Sequence, residues 1–358
     1  MPALPHRRIT LGHIAREAGV SRAAVSYALR GDPNIAAETR RRIQEIATRL
    51  GYRPDPMLSK LMTHLHGGSQ RGGMSESEAP RYEGKIAFIN PRPEEKAFSQ
   101  RAHGLKDFYR NASERARALG YELEEFWLHE PGITPARLAG ILMARGIRGI
   151  VLGSSGHPDS EVDFPWKNFA AVTVGYSVTR PVLHRVATHH YHNTLLALRK
   201  VTEAGYRRVG LLLDRPMEPT MENLHLAAFL AWQYGQPEES RVPPAFSGSG
   251  TKLQVWFRER SPEVLLHTTP GTRASLASWG LPPDLPLVSL LRWETGDPDM
   301  AGVRPGYERL GAVAVNLLVS QLHHDEYGLP EEPRIVLVDG QWVNGASLPP
   351  KQKRQRRQ

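Results

Sequence analysis

The stretch AREAGVSRAAVSYAL, from Ala15 to Leu29, places a Gly-Val-Ser turn between two short helical patterns. The second pattern, SRAAVSYAL, consists mostly of small side chains and carries one Arg and one Tyr. The major groove of DNA is about 12 Å wide, so a helix that enters it must be slim, with only a few long side chains to read the bases. The stretch therefore predicts a helix-turn-helix whose second helix is the recognition helix.

Apolar spacing extends this prediction to a three-helix domain over residues 1–54. We expect Thr10 to cap the first helix and Gly19 to end it in the left-handed conformation, and Ser21 to cap the second. A third helix reaches Leu50. The predicted inner faces are Leu11, Ile14, Ala15 and Ala18 in the first helix, Ala24, Val25, Ala28 and Leu29 in the second, and Ile43, Ile46, Ala47 and Leu50 in the third.

Positive charge is concentrated at the two ends of the chain. Residues 1–60 contain eleven Lys and Arg against five Asp and Glu, a net charge of +6, and the final KQKRQRRQ adds +5 to a chain of +9 in total. A basic N-terminal unit is the electrostatic footprint of a polyanion-binding domain. A basic solvated surface is the alternative, and composition alone does not choose between them.

The recognition helix offers specific contacts to DNA. On its outward face we expect Arg22, Ala23, Ser26 and Tyr27 to read bases: Arg22 by a bidentate contact to guanine and Ala23 against a thymine methyl group. A second set would contact phosphates, which positions the domain without carrying sequence information. That set is Thr10, Ser21, Arg30, Asn34 and Thr39.

The run from Ile9 to Pro56, which includes AREAGVS, a VS-x-x-L recognition helix, ETR and LGYRP, resembles the lactose-repressor (LacI/GalR) family of bacterial transcription regulators. Two positions depart from the family pattern: Tyr27 stands where Arg is usual, and Ala36 where Ser or Thr caps the third helix. The resemblance implies a sequence-specific regulator, usually a repressor, that binds a palindromic operator in double-stranded DNA as a homodimer under the control of a small-molecule effector.

The next segment reads as a short helix followed by a linker. Asp55 and Pro56 begin the predicted hinge helix, residues 55–66, and Gly67 ends it. The stripe Met57, Leu58, Leu61, Met62 and Leu65 could be core, or it could face its own copy in a dimer. The resemblance implies that paired hinge helices lie in the minor groove, with Leu61 as the wedge and Leu58 beside it. Residues 67–84, rich in Gly and Ser, are the predicted flexible linker.

Residues 85–348 alternate strand-like apolar runs with helical stretches, which indicates parallel sheets covered by helices. The predicted fold is therefore an all-α helix-turn-helix head followed by an α/β domain. The resemblance implies two lobes like those of periplasmic sugar-binding proteins, with crossings near residues 186, 292 and 325 and the VRPGYERLGAVAVNLL helix in the first lobe. Residues 349–358 are a predicted disordered basic tail, either solubilising or adding nonspecific affinity for DNA.

The sequence of the effector region departs from the family pattern. The chain has MENLHLAAF at 221–229, HTTPG at 267–271 and LLRWETGD at 290–297, and lacks most of the polar groups that hold sugar hydroxyls. Arg292 and Trp293 favour an acidic or phosphorylated effector, bound by charge and by stacking. The alternative is that Arg292 pairs with a nearby carboxylate and that Trp293 packs in an interface.

Other classes of function find less support. Four histidines at 184, 189, 190 and 192 could bind a metal, although such a run is more often a polar loop and helix start, and we expect neither a metal nor a cofactor. Glu124 and Glu125 are adjacent in a predicted strand and point to opposite faces, so they form no acid–base pair. No catalytic motif is visible, and no enzyme is predicted. A solute-binding protein of the periplasmic-binding type, without a regulatory role, is the alternative function.

The cellular location follows from what the composition lacks. The chain has no cysteine, no apolar run long enough for a membrane span, and no apolar segment at its start that resembles a secretory signal. We therefore expect a cytoplasmic protein that has no membrane partner.

Overall fold

A computed structural model gives the structure of the chain and divides it into two compact units, Met1–Ser77 and Glu78–Gln358. The predicted hinge helix lies outside the described residues, as do most of the predicted linker and tail. The described residues are 11–29, 35–50, 84–94, 105–248, 250–269, 279–292 and 297–351.

The first unit contains the three predicted helices, α1 (Leu11–Ala18), α2 (Arg22–Leu29) and α3 (Ala37–Arg49). Their apolar faces form one core, which confirms the predicted spacing, and Val20, Leu29, Ile35 and Leu50 pack around it. The buried core residues are Ile14, Ala15, Ala18, Val25, Ala28, Ile43, Ile46 and Ala47.

The first lobe of the second unit is built on a six-stranded parallel sheet in the order β13-β7-β5-β3-β1-β2. Its strands are β1 (Gly84–Asn90), β2 (Tyr121–Trp127), β3 (Gly149–Leu152), β5 (Ala170–Val174), β7 (His184–Thr188) and β13 (Ile335–Val338). Its helices are α4 (Leu105–Ala118), α5 (Pro135–Ala144) and α9 (Tyr307–His323). A two-stranded ribbon joins β4 (Ser160–Glu161) to β6 (Val178–Arg180).

The second lobe contains a second six-stranded sheet in the order β14-β12-β11-β10-β8-β9, parallel except where β14 pairs with β12. Its strands are β8 (Val209–Leu213), β9 (Ala245–Phe246), β10 (Val264–His267), β11 (Leu287–Ser289), β12 (Ala301–Arg304) and β14 (Gln341–Val343). Its helices are α6 (His190–Glu203), α7 (Leu224–Tyr234) and α8 (Gly250–Arg260). Among the described residues there are also three single-turn 3₁₀ helices: Trp166–Asn168 in the first lobe, and Glu218–Met221 and Glu238–Ser240 in the second.

The chain passes between the two sheets three times, at 188–190, 304–307 and 338–341. The first crossing lies close to the predicted residue 186. The predictions near 292 and 325 are wrong: β12 adds another strand to the second sheet after residue 292, and β13 adds one to the first sheet after residue 325. The predicted position of α9 in the first lobe is confirmed, because Leu310, Ala314 and Leu318 are buried in the core of that lobe.

Both sheets are buried because most of their strands are apolar throughout, the pattern expected when helices cover both faces. In the first sheet Phe88 and Val172 belong to one core and Ile150 and Ala171 to another. Glu124, in β2, lies 2.7 Å from Arg145 Nη1 and 3.3 Å from Lys85 Nζ, so its carboxylate is engaged in structural ion pairs. No helix among the described residues is long and apolar enough to cross a membrane.

Candidate nucleic-acid interface and interlobe cluster

The turn between α1 and α2 is set by two residues that the sequence singled out. Gly19 has φ +66°, in the left-handed region, which a glycine adopts without steric cost. Ser21 Oγ accepts a hydrogen bond of 3.1 Å from the Ala24 N–H and so caps α2. The predicted helix end and the predicted cap are both confirmed.

Two arginines of α3 hold the three helices together. Arg42 donates to the Ala18 carbonyl at the end of α1, where a cation also complements the negative end of the helix dipole. Arg49 donates to the carboxylate of Glu17, which joins the end of α3 to α1. α3 therefore packs against the helix-turn-helix and is fixed to α1 by these two contacts.

The predicted contacts to DNA divide into described and undescribed residues. Ser21 is exposed, and since its oxygen accepts from the Ala24 N–H, its own O–H is left to donate to a phosphate. Thr39 is half-buried in the first turn of α3. Thr10, Arg30, Asn34, Leu58 and Leu61 lie outside the described residues, as do the side chains of Arg22, Ala23, Ser26 and Tyr27 on α2. The contacts assigned to all of these residues stay predictions.

In the second unit, polar side chains of both lobes meet where parallel strands end. We define six residues as the interlobe cluster: Tyr176, Arg185, His190, Glu218, Glu222 and His225. Ligands of open α/β sheets bind beyond the carboxyl ends of the strands, so this is where a small molecule is expected. The Tyr176 ring of the first lobe lies 6.0 Å from the His190 ring of the second, measured between centroids.

The second-lobe half of the cluster is a buried histidine pair held by a carboxylate. The rings of His190 and His225 are 4.6 Å apart, and His225 Nδ1 lies 3.0 Å from Glu218 Oε2. Glu218 Oε1 also accepts from the backbone N–H groups of His225 and Leu226 at the start of α7, both at 3.1 Å. Glu218 therefore fixes the His225 ring and the first turn of its helix.

Three buried histidines each have one ring nitrogen without a hydrogen-bond partner among the described residues: His190 Nδ1, His225 Nε2 and His267 Nε2. Burial lowers the pKa of His190 well below 6.5, and it lowers the pKa of His267 to about 4. His267, at the end of β10, places its Nδ1 3.2 Å from the Thr269 carbonyl, which can only accept. The Thr269 hydroxyl, which can donate, lies at the same distance from Nδ1, so Nε2 carries either the proton or the lone pair of the uncharged ring, according to the tautomer.

The first-lobe half contributes an aromatic ring and a cation. Arg185 in β7 donates to the carbonyls of Gly175 and Val178, and its guanidinium carbon lies 5.9 Å from the centre of the Tyr176 ring. Burial raises the pKa of Tyr176 to about 12, and the nearby Glu222 carboxylate adds to this effect. The Glu222 carboxylate of the second lobe therefore raises the pKa of a side chain in the first lobe, Tyr176.

The turn that presents Glu222 is strained. Glu222 and the following Asn223 have φ +55° and +56°, and the left-handed conformation costs a residue with a Cβ atom roughly 1–2 kcal/mol. Such strain persists where the surrounding structure imposes it, and it clusters at ligand and switch sites. Both residues belong to the MENLHLAAF stretch, so the strained turn lies inside the predicted effector region.

Arg292 has partners that neither sequence interpretation foresaw. Its Nε donates to the Met300 carbonyl at 2.7 Å and its Nη2 to the Pro298 carbonyl at 3.3 Å, both in the second lobe. Two of its donors thus fix the loop before β12. Trp293 lies outside the described residues. A role for either residue in holding an effector stays a prediction.

Sequence analysis missed most of the interlobe cluster. The sequence pattern indicates His190 only as one of four closely spaced histidines that could bind a metal. His225 lies in the MENLHLAAF stretch, where the pattern assigns it no role. Tyr176, Arg185 and Glu218 were not singled out at all. A signal was present in the sequence, since Tyr176 and His190 follow the buried strands β5 and β7 by two residues and therefore share the ligand edge of the first sheet.

The comparisons with known proteins bear first on the N-terminal unit. Residues 10–55 match the family model described as "Bacterial regulatory proteins, lacI family". The chain is 47% identical over 57 residues to the HTH-type transcriptional regulator PtxS of Pseudomonas putida, a match that covers 16% of this chain and 17% of PtxS. It is 27% identical over 219 residues to an HTH-type transcriptional regulator of Mycolicibacterium smegmatis, covering 60% of this chain and 54% of that protein.

A solved structure extends the likeness to the fold of the whole chain. The structure described as the Lac repressor dimer bound to operator and the anti-inducer ONPF aligns with a TM-score of 0.51. The two are 16% identical, and the alignment covers 96% of this chain and 100% of the repressor chain. At that identity the likeness shows the fold, a helix-turn-helix head with a periplasmic-binding-like two-lobed domain, and confirms the predicted fold class.

Proposed function

We propose that the chain, whose residues 10–55 match the lacI family of bacterial regulatory proteins, is a sequence-specific, DNA-binding transcription repressor of that family. In this proposal it acts in the cytoplasm as a homodimer on a palindromic operator and is controlled by a small-molecule effector, by binding and not by catalysis. One observation carries the proposal: the three-helix head, with α2 capped by Ser21, coincides with the family match over residues 10–55.

The charge of the head supports DNA as its ligand. Residues 1–60 carry a net +6, and phosphate contacts made by such a surface release counterions. Affinity should therefore fall steeply as salt rises. A solute-binding protein without a regulatory role, the alternative function, would have no use for this basic head.

A homodimer follows from the size of the reading element. One short helix reads only a few base pairs, so specificity requires two heads on half-sites about 34 Å apart, one turn of DNA. The Lac repressor of the solved structure is described as a dimer bound to operator, and this chain shares its fold. Sedimentation of the full chain should give twice the monomer mass of 40.0 kDa.

For the effector, we propose a neutral, hydroxyl-bearing molecule bound beyond the carboxyl ends of the second-lobe strands, where the interlobe cluster follows β8 and His267 ends the neighbouring β10. His190 and His267 are uncharged at neutral pH because burial lowers their pKa, so they offer no positive charge to an anion. The cation of the cluster, Arg185, already donates to the Gly175 and Val178 carbonyls and faces the negative charge of Glu222. His267 Nε2, which has no hydrogen-bond partner among the described residues, instead offers a lone pair or a proton to a ligand hydroxyl, which can both donate and accept. An acidic effector would have to use Arg292 and Trp293, which is the competing prediction.

The first experiment compares two variants of equal charge change. The operator is recovered by sequencing genomic DNA retained by the purified chain, and affinities for cognate and random duplexes are measured by fluorescence anisotropy. Arg22→Ala should cost about 1–3 kcal/mol on the cognate duplex and far less on random DNA. Arg41→Ala removes the same charge from the exposed face of α3 and should weaken both duplexes alike. Equal effects of Arg22→Ala on both duplexes would refute base reading by that residue.

The second experiment is a thermal-shift screen of neutral sugars and polyols against sugar phosphates and dicarboxylates. Neutral ligands should raise the melting temperature of wild type, and His267→Phe, which keeps an aromatic ring but removes both ring nitrogens, should abolish that rise. His324→Phe, an exposed histidine on the first lobe, is the matched control and should retain it. Stabilisation by anions alone would overturn the neutral-effector proposal in favour of Arg292 and Trp293.

A further inference from the structure

Three side chains with metal-ligating atoms meet beside two of the crossings between the lobes. His189 and His192 flank the start of α6, after the first crossing, and Asp339 lies in the third crossing, between β13 and β14. One ligand atom from each residue can be chosen such that all three lie within 4.8 Å of one another. The two histidines are half-buried and Asp339 is exposed, so an ion can reach the site from solvent.

Backbone hydrogen bonds hold this arrangement in place. The His189 N–H donates to the Val338 carbonyl at 2.9 Å, beside Asp339. On the other side, the Gly340 N–H donates to Asn193 Oδ1 at 2.7 Å, and Asn193 lies on the same helix as His192. The two segments that carry the ligands are thus fastened together on both sides of the site.

The ligand geometry suits one small ion. Tetrahedral ligands of Zn²⁺, bound at about 2.0–2.2 Å, lie roughly 3.3 Å from one another. His189 Nδ1 and Asp339 Oδ1 are 2.8 Å apart, close to this separation. The His192 ring stacks on the His189 ring at 5.3 Å between centroids, and its ligating nitrogen lies within 4.8 Å of the other two ligand atoms.

We propose that His189, His192 and Asp339 form a binding site for one divalent transition-metal ion of the Zn²⁺ or Ni²⁺ type. Two imidazoles and one carboxylate are ligands that such ions accept, and water would complete the coordination. The positive end of the α6 dipole opposes a cation here, and the Asp339 carboxylate offsets it. Arg309 donates to the Asp339 backbone carbonyl, which leaves the carboxylate oxygens available.

The site has a structural consequence that follows from its position. Asp339 belongs to the segment that returns from β13 to the second lobe, and His189 belongs to the segment that first enters it. An ion bound by both ties together two of the three crossings that connect the lobes. Metal occupancy would therefore restrain any opening or closing of the lobes and stabilise the second unit by mass action.

The test uses the full chain without an affinity tag, titrated with Zn²⁺ and with Ni²⁺ in competition with a chromophoric chelator. Loss of a ligand should cost at least as much affinity as loss of an outer-shell partner, about 10–100-fold. We therefore expect His192→Ala and Asp339→Asn each to weaken the tightest site by at least that range. His157→Ala is the matched control, because it breaks an imidazole–carboxylate pair (2.6 Å to Glu94) that is not among the candidate three-ligand sites.

A second measurement separates metal binding from misfolding. The visible absorption spectrum of the Co²⁺-loaded chain reports nitrogen and oxygen ligation directly, and it should be lost in His192→Ala while far-ultraviolet circular dichroism stays unchanged. The proposal is overturned if wild type and His192→Ala bind Zn²⁺ and Ni²⁺ equally, or if His157→Ala weakens binding as much as His192→Ala does. In either case His189 and Asp339 form only a surface ion pair.

Discussion

The Nδ1 atom of His225 lies 3.0 Å from Oε2 of Glu218, and both side chains are completely buried. The same carboxylate accepts two backbone N–H groups at the start of α7, so three donors, two of them buried and one part-buried, depend on it. This one carboxylate therefore connects the position of the His225 ring, at the interlobe cluster, to the stability of the second lobe.

Replacing Glu218 by Ala should destabilise the second unit by about 3 kcal/mol or more, because it leaves several buried donors without partners at about 1–3 kcal/mol each. Urea unfolding followed by tryptophan fluorescence measures this, since all seven tryptophans lie in that unit. Glu238→Ala, at an exposed glutamate in the same lobe, should change the free energy of unfolding by less than about 0.5 kcal/mol. Similar losses in both variants would contradict the role given to Glu218.

His267 should make the second unit sensitive to acid. Its pKa is about 4 in the folded chain and 6.5 in the unfolded one, so between these values the unfolded state binds more protons and stability falls as pH falls. The contribution is complete above pH 6.5, is lost progressively down to pH 4, and amounts to about 3 kcal/mol.

Urea unfolding at pH 7 and at pH 4.5 measures this contribution. His267→Gln should lose clearly less stability than wild type between the two pH values, because the variant has no ring to protonate. His324→Gln, at an exposed histidine, should follow wild type. If His267→Gln and wild type lose the same stability, His267 is not the acid-sensitive group.

Gly311 allows α9 to approach α4 closely. A Cβ atom added there would lie 2.7 Å from the Ala112 backbone nitrogen and would collide with the Phe108 carbonyl. Gly311→Ala should therefore destabilise the first lobe by about 1–3 kcal/mol, as overpacking does. Gly140→Ala, on an exposed part of α5 with nothing within 4 Å, should instead stabilise it by up to about 1 kcal/mol. Urea unfolding should therefore show that Gly311→Ala lowers the free energy of unfolding and that Gly140→Ala raises it.

Ala36 occupies the N-cap position of α3 without a side chain that can cap. Its φ −51° and ψ +136° suit a capping residue, and no side-chain hydrogen bond is present. Ala36→Ser should stabilise the first unit by about 1 kcal/mol, and Ser21→Ala should destabilise it by a similar amount. Hydrogen–deuterium exchange of peptides from α2 and α3 measures both effects. Unchanged exchange in Ala36→Ser would show that the new hydroxyl does not cap the helix.

Sequence alone determined the features that depend on neighbouring residues. The end of α1 at Gly19, the cap at Ser21 and the apolar faces that meet at Ile14, Val25 and Ile43 are local, because helix periodicity and caps act within a few residues. The alternation of buried strands and helices was equally readable, and it predicted parallel sheets covered by helices; the division into two lobes was implied by the family resemblance.

Only the tertiary structure decided which distant segments meet. Which sheet a late strand joins is a matter of long-range pairing: Ile335 pairs with Arg185 in the first sheet, and this placed the last crossing beyond the predicted position. His189 and Asp339 are 150 positions apart, and the Glu218–His225 pair depends on a turn with two left-handed residues that no propensity favours. Such contacts depend on the packing of whole lobes, which the periodicity of a single segment does not encode.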